Sequence, residues 1–140
     1  MRISIGADHR GYELKDRLIK NFSSVEWDDV GMYSSDRVDY PVVSKKICEN
    51  ILSGASDQGI LICWSGVGMS MAANRNKGIY AALCWCEDIA RLAKEDDGAN
   101  LLVLPAGFLD LQGAAAIFNV WMEAKFKWGI YFDRLQLIDQ

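Results

Sequence analysis

Apolar positions along the chain switch between a strand-like and a helix-like period. Ile3, Ile5 and Ala7 alternate with Ser4 and Gly6, which predicts a short first strand stopping at Asp8-His9-Arg10-Gly11. Over residues 12–22, Leu14, Leu18, Ile19 and Phe22 recur at helical spacing, with Lys15, Asp16, Arg17 and Lys20 on the other face. Residues 25–30 predict a second strand. Gly31 then opens an irregular stretch, running to Tyr40-Pro41, whose Ser, Asp and Pro content reads as an ordered loop. Pro41 suits the first turn of a helix with Val42, Val43, Ile47, Ile51 and Leu52 as its buried stripe and Gly54 as its stop.

The centre of the pattern lies between Gly59 and Asn74. An unbroken apolar run, Ile60-Leu-Ile-Cys63, ends at Ser65, Gly66 and Gly68 and gives way to a small-residue helical pattern from about Met69. A buried parallel strand passing through a tight turn into a helix has this form. Downstream, residues 79–83 predict a fourth strand, residues 87–96 a helix ended by Gly98, and residues 101–104 a fifth strand. Asp110 can cap a long helix reaching about Lys125, and residues 131–138 suggest a short terminal one. The expected fold is therefore α/β: a three-layer, Rossmann-like, parallel five-stranded sheet of order 2-1-3-4-5 with helices on both faces, as one domain over residues 1–140. In that order the winding reverses between the first and third strands, and ligands bind beyond the carboxyl ends of such strands. Asp8-His9 and the stretch from Cys63 to Ser70 meet there.

Composition narrows what could bind. With 51% hydrophobic residues and a net charge of -4, the chain reads as a mildly acidic globular protein, which argues against nucleic acid or a membrane surface as partner. No stretch approaches the roughly 18 apolar residues of a membrane span, so a cytoplasmic location is expected. Cys48, Cys63, Cys84 and Cys86 lack Cys-x-x-Cys spacing, and a single histidine makes a zinc site a poor fit.

The turn after the third strand can point successive backbone N–H groups into one concavity, with the following helix aiming its positive end there, so an anion or developing oxyanion is the expected guest. Cys63 at its lip is either a buried small hydrophobe or a thiol poised for base or nucleophilic chemistry. His9 could pair with it, act as acid or base, or bind phosphate, and Ser65 could donate to an oxyanion. Sharper motifs fail: Met69 stands where a Cys-x5-Arg phosphatase loop needs arginine, no Gly-Lys-Ser/Thr follows, and Gly66-Val-Gly68 lacks a third glycine.

Three separated segments carry a family likeness: Asp8-His-Arg-Gly-Tyr-Glu-Leu-Lys15, Tyr33-Ser-Ser-Asp-Arg-Val-Asp-Tyr-Pro41, and Cys63-Trp-Ser-Gly-Val-Gly-Met-Ser-Met-Ala-Ala-Asn74. Together they resemble the type B ribose-5-phosphate isomerases and the related galactose-6-phosphate isomerase subunits, nearly end to end. The resemblance implies a metal-free, cofactor-free aldose-ketose isomerase, interconverting ribose 5-phosphate and ribulose 5-phosphate, and working as a homodimer or homotetramer with sites shared between subunits. By position, Cys63 would be the base and Ser65 its neighbour where many members have threonine. The backbone of Gly66, Val67, Gly68, Met69 and Ser70 would hold the enediolate oxygen. Asp8, Asn74 and Asp97 would meet sugar hydroxyls, and His9 with Arg134 the phosphate.

The departures are equally specific. Asp96 stands where the family usually has a ring-opening histidine, and Gly107 and Ile130 stand in place of arginines. Arg10, Arg75 and Lys77 are cations that could compensate, each otherwise a solvated surface charge. Trp64, where relatives carry a smaller residue, would crowd the mouth of the site or pack on a partner. The aromatic series Trp121, Phe126, Trp128, Tyr131 and Phe132 exceeds what one small core needs and suggests a dimer surface.

Overall fold

The computed structural model describes residues 1–31 and 36–140. Residues 32–35, part of the predicted ordered loop and of its Tyr33 motif, lie outside the described residues. The elements follow in the order β1 (Arg2–Ala7), α1 (Tyr12–Asn21), β2 (Glu26–Gly31), α2 (Tyr40–Leu52), β3 (Gln58–Cys63), α3 (Val67–Ala73), β4 (Ala81–Leu83), α4 (Glu87–Glu95), β5 (Leu101–Pro105), α5 (Leu111–Glu123) and α6 (Ile130–Ile138).

The strands form one five-stranded parallel sheet. Its faces are read directly from the alternation in β3. Ile60 and Ile62 pack with Leu14 and Leu18 of α1, Ala90 of α4 and Ile117, Phe118 and Trp121 of α5. Leu61 and Cys63 pack on the opposite face with Val43 and Ile47 of α2 and Met69 of α3. A central strand covered on both sides has no polar face, which is why β3 and β5 read as unbroken apolar runs.

The α/β class, the parallel sheet and the reversal between β1 and β3 match the expectation, whereas the last two strands are exchanged: the order is β2-β1-β3-β5-β4. Burial explains the exchange. Leu101, Leu102, Val103 and Leu104 are all fully buried and occupy an interior position, while three-residue β4, Ala-Ala-Leu, is only half-buried and sits at the edge. Residues 79–80, expected within this strand, precede it; Tyr80 is held instead through its N–H to Asn100 Oδ1 at 2.9 Å. Asp110 caps α5 as its sequence position suggests, accepting from the Gly113 N–H at 2.7 Å.

Trp121 departs from the expectation of a surface aromatic. It is fully buried in the sheet-facing core, with its indole N–H donating to Gln58 Oε1 at 2.7 Å. Phe126, Trp128 and Phe132 do form a ring cluster at the surface, with centroids 5.1 and 5.5 Å apart.

Lys94 lies beneath this core, its ammonium 4.3 Å from the Trp121 ring centroid and donating to Gln58 Oε1 at 2.5 Å. Burial pulls its pKa down from 10.5 to about 8. Between those values the unfolded chain binds the extra proton, so stability rises with pH across this window, and the cost of the buried charge is fully present below it. Lys94→Met is therefore expected to stabilise the protein at pH 7 by roughly 1–2 kcal/mol, allowing for partial exposure of the amine. Thermal melts at pH 7 and near pH 10 check this: the gain should shrink at the higher pH.

Candidate active site

Pairing aligns the carboxyl ends of three strands, with Ala7 opposite Ile62 and Cys63 opposite Pro105. The loops that follow are stitched together: the Asp8 N–H donates to the Ile62 carbonyl at 3.3 Å, Ala106 to Cys63 at 2.8 Å and Gly107 to Trp64 at 2.9 Å. Asp8, His9, Cys63, Ser65 and the segment Gly66, Val67, Gly68, Met69 and Ser70 are thus gathered at the switch point that the sequence indicates.

Cys63 is 5% exposed, its thiol at the floor of the α3 turn. The Gly66 N–H donates to its Sγ at 3.2 Å. Burial pushes the thiol up from its ordinary value and the nearby Asp8 carboxylate adds to this, while the Met69, Gly66 and Ser65 amides pull the other way by favouring thiolate. The turn's donors are therefore committed mainly to the sulfur. The Val67 N–H goes to Ser65 Oγ at 3.2 Å and the Ser70 N–H to the Gly66 carbonyl at 3.0 Å, which leaves the Gly68 amide without a protein acceptor among the described residues. Helix α3 begins at Val67, two residues before the apolar pattern indicates, because Gly66 takes the left-handed conformation at φ 78° and turns the chain early.

Asp8 is 7% exposed, with Oδ1 accepting from the Arg10 and Gly11 N–H groups at 3.0 Å each. It fixes the entry to α1 and so orients His9, whose Nδ1 is buried without a partner among the described residues. Ser70 Oγ is likewise buried and unpartnered. A polar ligand beside Asp8 would supply the partner that His9 Nδ1 lacks.

Other residues expected at the site are elsewhere in the chain. Asn74 spends its amide on the edge strand, accepting from the Ala81 N–H at 2.8 Å and donating to the Ala81 carbonyl at 2.9 Å. Asp96 is paired with Lys127 at 2.6 Å, and Lys127 and Arg134 both lie over the Tyr131 ring. Asp96 and Asp97 precede β5 at its amino end, whereas Pro105 at its carboxyl end faces Cys63, a separation along the strand of about 13 Å. A cavity of about 630 Å³ at this far end is lined by Asn74, Lys77, Tyr80, Asp97, Leu135 and Asp139. The expected site residues therefore fall into two half-sites at opposite ends of the sheet.

Sequence reasoning missed two aromatic residues at the mouth, Trp85 and Phe108, which with Ser65, Leu83 and Pro105 line a pocket of about 360 Å³. Their signal is positional: each closely follows the carboxyl end of a strand, where ligand-facing loops begin. Among the described residues, no group of three or more His, Cys, Asp or Glu side chains could hold a metal ion, and no helix is long and apolar enough to cross a membrane.

A parallel α/β domain with a thiol, a glycine turn and an Asp-His pair converging at the switch point has the layout of a small-molecule enzyme site. The chain belongs to the Ribose/Galactose Isomerase family, whose model matches residues 3–138. It is 34% identical over 139 residues to the ribose-5-phosphate isomerase B of Escherichia coli strain K12, covering 98% of this chain and 93% of that protein. It is 36% identical over 129 residues to a galactose-6-phosphate isomerase subunit of Clostridium acetobutylicum, covering 91% of this chain and 75% of that protein. The crystal structure of a ribose 5-phosphate isomerase from Thermotoga maritima superposes with a TM-score of 0.96 at 41% identity, covering 99% of this chain and 97% of that one.

Proposed function

We propose that this sugar-phosphate isomerase interconverts ribose 5-phosphate and ribulose 5-phosphate, with Cys63 as the base. The observation that carries the reading is the buried thiol held by backbone donors beside Asp8 and His9 at the switch point. In the open-chain aldose the Cys63 thiolate takes the C2 proton. The electron pair moves to give an enediolate, with negative charge developing on O1; the O2 hydroxyl proton passes to O1, and the thiol returns its proton at C1, which leaves the C2 carbonyl of the ketose and regenerates the thiolate. Ser65 and the Gly68 amide would be the donors to that charge. Asp8 meets sugar hydroxyls, and His9 offers its unpartnered nitrogen.

The separation of the half-sites supports a second part of this reading. We propose a homodimer in which Cys63 of one subunit works with Asp96, Asp97 and Arg134 of the other. Exposed apolar side chains on the α2 and α3 flank, Val42, Val67 and Met71, and on α6, Leu137 and Ile138, are the surface such an assembly would cover. A monomer by sedimentation at micromolar concentration would refute it.

The deciding experiment is a coupled assay of the purified protein with ribose 5-phosphate and, separately, galactose 6-phosphate. Turnover of the pentose is expected. Turnover of the hexose alone would assign the protein to the galactose-6-phosphate reading, which the Clostridium acetobutylicum relative supports, whereas the absent histidine at Asp96 and arginines at Gly107 and Ile130 are what motivate a catalytically silent subunit. Binding of either sugar without turnover would remove the catalytic reading altogether.

Ring opening needs a proton donor, and Asp96 stands at that position. A carboxyl there, bonded to Lys127 at 2.6 Å, could serve either by protonating the ring oxygen or by accepting the anomeric hydroxyl proton. Asp96→Asn is expected to lower kcat on the cyclic sugar by roughly tenfold or more and to recover with a substrate that is more often open. Unchanged kcat on ribose 5-phosphate would exclude the role.

A further inference from the structure

We infer that Arg10 is the residue with which this chain holds the phosphate of its substrate, and that Trp64 is the platform that positions it. The inference deepens the sugar-phosphate reading above and rests on it for the identity of the anion. The Arg10 guanidinium lies over the indole of Trp64, 4.3 Å from the ring centroid. Trp64 directly follows Cys63, and Arg10 directly follows Asp8 and His9, so the stack joins the two loops that form the crevice. It is built rather than incidental. Trp64 is seated on Gly107, where an added Cβ would come within 2.3 Å of the indole, and the Gly107 N–H is bonded to the Trp64 carbonyl at 2.9 Å. A side chain at position 107 would push the indole off this seat, so the glycine at 107 and the Trp64 platform go together.

The guanidinium has no carboxylate within ion-pair distance among the described residues. Glu13 and Asp110 line the same groove, with Arg17 beside them, yet neither acid is paired with Arg10, and Asp110 is occupied in capping α5. An arginine stacked on an aromatic face keeps the donors on its edge directed outward and loses less freedom on binding, which suits bidentate capture of two phosphate oxygens. A second, independent feature points to a ligand on the same loop: His9 Nδ1 is buried without a partner. The other candidate cations lie elsewhere in the chain. Arg75 and Lys77 follow α3 near the start of β4, Lys77 lining the far cavity, and Arg134 lies over Tyr131, from where it reaches this crevice only in the homodimer proposed above, as a second cation beside Arg10.

The test uses inorganic phosphate as probe, measured by titration calorimetry on the intact protein, alongside KM and kcat for ribose 5-phosphate. Arg10→Ala is expected to weaken phosphate binding and raise KM together by roughly tenfold or more, with kcat within about threefold, because a phosphate ligand remote from the reacting carbons contributes equally to ground and transition states. Arg10→Lys should recover part of the loss. Trp64→Phe, which keeps an aromatic face, should stay near the parent, while Trp64→Ala should lose a fraction of what Arg10→Ala loses. Phosphate affinity and KM unchanged in Arg10→Ala would overturn the inference, as would a parent protein with no measurable phosphate binding. Arg10-dependent phosphate binding in a protein that does not turn over ribose 5-phosphate would sustain this inference and overturn the isomerase reading instead.

Discussion

Replacing Cys63 by alanine is expected to lower kcat for ribose 5-phosphate by roughly 10²–10⁴-fold while leaving substrate affinity within a few fold, because a base contributes to the transition state and not to the bound ground state. The thiol lies at the bottom of the turn, 5% exposed, and its replacement leaves room for no more than a small cavity. A folded variant is therefore expected, and a melting curve close to the parent's shows that the loss is chemical. The pH dependence carries the same signature. Burial and the Asp8 carboxylate both raise the thiol, so the ascending limb of kcat/KM should lie above the ordinary thiol range in the free enzyme. Asp8→Asn removes the negative neighbour and should move that limb to lower pH even though it also weakens sugar binding. Comparable loss of kcat and affinity in Cys63→Ala would make Cys63 a structural residue, and a limb unmoved by Asp8→Asn would show that burial, the larger cause, sets the thiol without Asp8.

Half of this site was legible in the chain and half was not, for physical reasons that differ by residue. Cys63, Ser65 and Gly66 announce themselves because a fully buried strand must end before a glycine can take a left-handed turn, and both events are written in consecutive residues. Asp8 is legible for the same reason at the end of β1. The order of β4 and β5 was not, since nothing in either strand names its neighbour; only the contrast between an all-buried Leu-Leu-Val-Leu and a half-buried Ala-Ala-Leu hints at which is interior. Asn74 looks like a polar group free for ligand, but its amide completes the exposed edge of β4. Asp96 looks like a solvated helix end, yet its partner Lys127 arrives from beyond α5. The Arg10 and Trp64 stack is equally invisible to local pattern, because it depends on a glycine at position 107 that supplies space rather than chemistry.

Gly66→Ala is expected to be the most damaging change outside the thiol itself. Gly66 has φ 78°, in the left-handed region where a Cβ costs about 1–2 kcal/mol, and the added carbon would meet Leu83 Cδ1 at 2.3 Å and Val103 Cγ1 at 3.3 Å. Leu83 ends the edge strand and can rotate away. Val103 belongs to fully buried β5 and cannot, so the turn must shift instead. That shift withdraws the Gly66 N–H from Cys63 Sγ, now 3.2 Å away, and takes with it the start of α3 that carries the Met69 amide. Both amides favour thiolate, so their displacement raises the thiol further, leaving less active base at neutral pH. The Gly68 amide moves with the same turn and no longer meets the developing oxyanion. Loss of one preorganised donor at such a position lowers kcat by about 10²–10³-fold, and that is the expected fall, together with a destabilisation of roughly 1–3 kcal/mol. Chemical denaturation and steady-state kinetics on the same preparation separate the two effects. A variant that keeps the parent's kcat would show that the turn holds the fold and has no part in the chemistry at Cys63.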